Sequence, residues 1–114
     1  MSAIVNLTIR DNADFVEAIK WVDTNGDPYN LTGNTFKMDV RASANAASAE
    51  VTLTTDNGGI NSTDLENGTI TINVADGAIS PGSYVYDLIK ITTASGQRVS
   101  MMYGTFTVVD GVTV

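Results

Sequence analysis

From Phe36 to Ala42 the chain alternates strictly: Phe36, Met38, Val40 and Ala42 are apolar, while Lys37, Asp39 and Arg41 between them are charged. A period of two puts the two sets on opposite faces of an extended strand, one for a core and one for water. A helix would scatter the same residues around its axis. The period recurs at Ala49, Val51 and Leu53, at Ile70, Ile72 and Val74, at Tyr84, Tyr86 and Leu88, and at Met102, Gly104, Phe106 and Val108. Asn25-Gly26, Asp56-Asn57-Gly58-Gly59, Asp76-Gly77, Pro81-Gly82 and Ser95-Gly96 punctuate these stretches. Intervals of roughly ten residues between such turns belong to an all-β sandwich or barrel. The expectation is therefore about seven to eight antiparallel strands and no long helix.

Local readings fill in the rest. Ile4 to Ile9 is a short first strand, followed by a polar turn over residues 10–14. Phe15 to Val22 places Phe15, Ile19 and Trp21 on one face together with Glu17, and Val16, Ala18 and Val22 on the other. That mixture predicts burial on both faces or a bulge. Asn25-Gly26 suits a type I′ hairpin, in which both central residues take positive φ. Residues 44–48 are small and read as a loop; Ile60 drops into the core, and the polar residues 61–68 form a connection. Gly104 marks a bulge or a close backbone approach, and Tyr103, out of phase with Met102 and Gly104, is expected to be exposed.

Composition narrows the function. At 114 residues and 12.0 kDa, with 43% hydrophobic residues, the whole chain, 1–114, is read as one domain able to close a core without a metal or disulfide. Thirteen acidic residues against six basic ones give a formal charge of -7, which repels a phosphate backbone, so no nucleic-acid partner is expected. There is no Cys and no His. That removes thiolate nucleophiles, Cys-ligated metals, the commonest general base and the commonest metal ligand, so an enzyme and a cofactor are not expected. The first residues lack a basic stretch followed by an apolar one, and no run is long enough to span a bilayer. Neither export by a signal peptide nor membrane insertion is expected.

Motif-like features have plainer readings. Asp23-x-Asn25-x-Asp27 copies the first three ligand positions of a calcium loop, but Pro28 stands where glycine is needed and Asn34 where a bidentate glutamate is. Hairpin chemistry explains it. Asp11, Asp14 and Glu17 are solvated turn residues rather than a carboxylate site. Asn6, Asn30, Asn61 and Asn67 begin sequons that composition alone produces. Trp21, Tyr84, Tyr86 and Tyr103 are candidates for an aromatic platform under a sugar ring, though the apolar phase of the first three favours the core. No Gly-rich phosphate loop, nucleophile elbow or paired metal motif occurs.

The order of these segments resembles a known family. Asp14-Phe15 leading to residues 21–28 (WVDTNGDP), and then residues 30–41 (NLTGNTFKMDVR), are similar to the small β-sandwich domain of tailed-bacteriophage virion proteins. Residues 67–72 (NGTITI), 81–88 (PGSYVYDL) and 104–108 (GTFTV) extend the likeness across about residues 4 to 110. Baseplate upper protein N-terminal domains and tail-accessory modules belong to that family. The resemblance implies an immunoglobulin-like sandwich and a non-enzymatic role in the virion, docking in multiple copies on other virion proteins of the tail, baseplate or capsid. It supplies no catalytic residues. In the baseplate members a longer segment follows the domain, so a chain ending at Val114 reads as a free-standing module.

The contact segments expected are the first strand, with Ile4, Val5 and Leu7, and the tail, with Val109, Val112 and Val114, since strand-like ends leave backbone groups unpaired unless something covers them. The plainer alternative is that both pair within the fold. A second class is a carbohydrate-binding module for host surface polysaccharide, favoured if exposed aromatics share one face. A third, a small hydrolase built on Asp or Glu pairs, lacks a convergent site.

Overall fold

The computed structural model describes residues 3–43, 45, 46, 48–75 and 77–111, apart from the side chains of residues 3 and 63. Its strands are β1 (Ala3–Ile4), β2 (Leu7–Arg10), β3 (Phe15–Lys20), β4 (Asn34–Arg41), β5 (Val51–Thr54), β6 (Ile60–Asp64), β7 (Thr69–Val74), β8 (Gly82–Thr92) and β9 (Arg98–Val109). A short 3-10 turn, Leu65–Asn67, joins β6 to β7. The chain is all-β. One sheet runs β1-β9-β8-β4-β5, with β2 continuing the line of β1 along β9, and the other runs β3-β7-β6.

Alternation decides which way each strand faces. Phe36, Met38 and Val40 of β4, Tyr84, Tyr86 and Leu88 of β8, and Phe106 and Val108 of β9 are buried. Ile60, Ile70, Ile72 and Val74 of the smaller sheet are buried with them in one core. Aromatic rings bridge the two sheets: Phe15 meets Phe106 edge-on at 6.2 Å between centroids, and Trp21 stacks on Phe36 at 6.3 Å and 8°. The β8–β9 hairpin closes at Gly96, whose N–H donates to the Thr92 carbonyl at 2.7 Å. Leu88 pairs with Met102 but Ile89 with Ser100. Met101 is thus the extra residue of a bulge, and both Met101 and Met102 turn inward.

Four expectations need correction. The pairing is mixed rather than wholly antiparallel, because β1 and β2 lie parallel to β9. Periodicity assigns a face but not a direction, and β2 leads across to the other sheet instead of into a hairpin, so no tight turn dictates its sense. The first strand is also broken at Val5 and Asn6. Second, residues 60–64 form strand β6, with a register shift between Asn61 and Asp64; a single apolar anchor, Ile60, leaves no alternation to read. Third, β3 pairs with β7 in unbroken register and is exposed on its outer face, where Val16 is 61% exposed. As an edge strand it tolerates Glu17 on the inward side.

The fourth concerns Asn25-Gly26. No residue other than glycine has positive φ among the described residues, and Gly26 has φ 85°. The turn has three residues: the Gly26 N–H donates to the Asp23 carbonyl at 3.0 Å, and the Asp23 N–H to the Asp27 carbonyl at 2.8 Å. The Asp23 carboxylate accepts from the N–H groups of Asn25 and Asp27 at 2.9 and 3.0 Å. An aspartate beside the turn selects the three-residue form, with glycine alone in the left-handed conformation.

Candidate functional site

The first strand leaves the sheet for two residues and rejoins it, and four groups fix the detour. The Val5 N–H donates to the Tyr103 carbonyl at 2.9 Å, and the Val5 carbonyl accepts the Tyr86 hydroxyl at 2.6 Å. Asn6 Oδ1 accepts the Thr105 N–H at 3.1 Å, so a side chain takes the place of a ladder carbonyl. Gly104 makes the approach possible, since a Cβ there would collide with the Val5 carbonyl. The close approach read at Gly104 is therefore present. Burial pushes the Tyr86 hydroxyl up to about 12, so it stays a proton donor at neutral pH.

Of the residues expected to make contacts, Ile4 is 69% and Val5 37% exposed. Leu7 lies opposite Phe106 and packs against the core. Val109 pairs with Arg10 and is half-buried. Its carbonyl accepts the Asp11 N–H at 3.0 Å, and Asp11 Oδ1 accepts the Gly111 N–H at 2.7 Å. Val112 and Val114 lie outside the described residues. The inner side of the first strand and the end of β9 are thus spent within the fold, and among the described residues the side chains of Ile4 and Val5 stay exposed.

That edge adjoins the outer face of the larger sheet. Register aligns one row across five strands: Thr52, Asp39, Asp87, Tyr103 and Ile4. Asp39 Oδ1 accepts the Thr52 hydroxyl at 2.8 Å, and Asp39 Oδ2 accepts Arg41 Nη2 at 3.1 Å. The other guanidinium nitrogen donates to the Ala46 carbonyl at 2.8 Å. Partial burial works to raise the pKa of Asp39, but the Thr52 and Arg41 hydrogen bonds and the charges of Lys37 and Arg41 outweigh it and hold the carboxyl below its ordinary value. Asp87 and Tyr103 are exposed, as the phase of Tyr103 predicts. Sequence reasoning missed the row because period two gives the outer face of each strand but not which strands adjoin.

The other motif-like groups stay apart. Among the described residues no group of three or more acidic side chains is placed to hold a metal. Asn30 Oδ1 accepts the Thr32 N–H at 3.0 Å, and Asn67 Nδ2 donates to Asp64 Oδ1 at 2.9 Å, both local turn contacts. Tyr84 and Tyr86 are buried. Trp21, half-buried, lines a crevice of about 210 Å³ with Tyr29, Leu31, Lys90, Val99 and Met101. Another cavity, of about 520 Å³, opens between β3 and β5 over Phe15, Val16, Leu53 and Val74. No known family matches the chain, and no curated protein is significantly similar to it.

Proposed function

We propose that the chain is a non-enzymatic structural module of a tailed-phage virion, an immunoglobulin-like sandwich that docks on neighbouring virion proteins through its first-strand edge. The single observation carrying the docking part is the contrast between that edge and the others. Residues 3–9 (AIVNLTI) carry no charge, and Ile4, opposite the exposed Tyr103, and the adjoining Val5 are exposed there. Of the remaining edges, β3 carries Glu17 and Lys20 and β6 carries Asp64 with a register shift, the usual defences against strand addition, while β5 is short and uncharged like the first strand but keeps Val51 half-buried and Leu53 buried. The virion part rests on the sequence resemblance. The polysaccharide reading lacks its support, since Trp21, Tyr84, Tyr86 and Tyr103 do not share one exposed face.

Quantitative mass spectrometry of gradient-purified particles tests the reading. Stoichiometric copies on the particle are expected. Abundance in the infected-cell lysate with absence from particles overturns it.

A further inference from the structure

The outer face of the larger sheet holds a carboxylate, Asp87, with no direct partner among the described residues, Lys37 and Arg41 lying one diagonal away on β4. Asp39 and Asp87 sit directly opposite each other on β4 and β8, and like charges in that position destabilise a sheet. Asp39 is neutralised by Arg41 and held by Thr52. Among the described residues, no hydrogen bond or ion pair holds Asp87. On its other side Asp87 is opposite Tyr103, which is 43% exposed. The two border an open concavity of about 720 Å³ whose walls include Asp39, Arg41, Ile89 and Ser100.

An exposed aromatic ring beside an unpaired carboxylate is complementary to one chemical group above others. A guanidinium lies flat on the ring and at the same time donates paired hydrogen bonds to the carboxylate, whereas an ammonium makes only a point contact. The formal charge of -7 draws a basic partner toward the chain as a whole. A sugar would want a broader platform, and Tyr84 and Tyr86 are buried on the opposite side of the same strand. We infer that this face receives an arginine side chain presented by a partner protein, stacked on Tyr103 and paired with Asp87. The inference rests on the docking reading above and names the chemistry of the partner.

The test is an amide NMR titration of the full chain with acetyl-argininamide, acetyl-lysinamide and methyl glucoside as probes. The arginine probe is expected to shift amides around Asp87, Tyr103 and Ile4, and to do so more strongly than the lysine probe. Asp87→Asn and Tyr103→Leu should each weaken its binding about two- to fivefold, and added salt should weaken it further. Both substitutions are on the surface, and the dispersion of the same spectra shows whether each variant is folded. Unchanged binding in Asp87→Asn, shifts from methyl glucoside alone, or no shifts at these residues overturns the inference. Docking fails separately: absence from particles removes that reading without altering the titration, and presence on particles with a silent titration removes only the arginine.

Discussion

The first strand and β3 are both sheet edges, and they are built in opposite ways. β3 is a continuous six-residue strand, antiparallel to β7, anchored inward by Phe15 and Ile19 and followed by Trp21. Glu17 and Lys20 give its edge the charges that discourage a further strand. The first strand is parallel to β9, broken after two residues, and uncharged until Arg10. β2 is secured by Leu7 and Ile9, which pack inward, and the detour between β1 and β2 by polar contacts: the Tyr86 hydroxyl, the Asn6 side chain and the space above Gly104. The difference teaches that exposure alone does not mark a contact surface. Val16 on β3 and Ile4 on β1 are similarly exposed, at 61% and 69%, yet only Ile4 stands on an edge without charged guards.

Removing the anchor beside β3 should have the largest effect. Trp21→Ala deletes the ring stacked on Phe36 and is expected to cost about 3 kcal/mol, the low end for a large aromatic because Trp21 is only half-buried. Chemical denaturation measures it; an unchanged midpoint would mean that the crevice beside Trp21 closes without loss. Next comes the corresponding change at the other edge. Gly104→Ala drives a methyl into the Val5 carbonyl and should cost about 2 kcal/mol through overpacking. If that variant matches the parent in stability, residues 3–6 are free to move away from β9 and the detour is not a fixed feature.

Much of this contrast lies beyond what a sequence shows. Alternation reveals the buried faces of β4, β7 and β8, because Phe36, Met38, Ile70, Ile72 and Leu88 repeat at period two in segments long enough to read. It does not reveal β6, where Ile60 is followed by Asn61, Ser62, Thr63 and Asp64. Nor does it give direction, so the parallel course of β1 and β2 is illegible. The row from Asp39 through Asp87 to Tyr103 depends on which strands adjoin and in what register, a property of long-range pairing. Ile4 and Val5 are different: a strand-like end with apolar residues is visible in the sequence, and the structure adds that the strand pairs with β9 while both side chains stay exposed.

The Tyr86 hydroxyl separates the two edges by pH. Its folded pKa, about 12, lies above the ordinary value of about 10. The stability this group contributes is therefore fully present below about pH 10 and is lost as pH rises toward 12. Tyr86→Phe removes both the bond to Val5 and the titration, at a cost of about 1 kcal/mol at neutral pH. The gap between parent and variant should narrow and then reverse through that alkaline window, with the protection of the amides of residues 4–7, taken relative to the intrinsic exchange rate at each pH, falling in the parent while that of β3 is unchanged. A constant gap would show that the hydroxyl does not hold the first strand.

The smallest effect on stability, and the sharpest on function, comes from placing a lysine on each edge in turn. Ile4→Lys and Val16→Lys replace exposed side chains of similar character, so each should change folding stability by no more than about 0.5 kcal/mol. Their effects on assembly should diverge. A lysine at position 4 sets a charge on an uncharged edge with an exposed apolar side chain, opposite Tyr103, where desolvation on docking would penalise it; incorporation into particles should fall sharply. A lysine at position 16 adds to an edge that already carries Glu17 and Lys20, and incorporation should be unchanged. Competition between each variant and the parent during particle assembly, read by mass spectrometry, decides the matter. Equal loss from both would make the contact a property of general surface charge, and no loss from Ile4→Lys would remove the first strand from the interface.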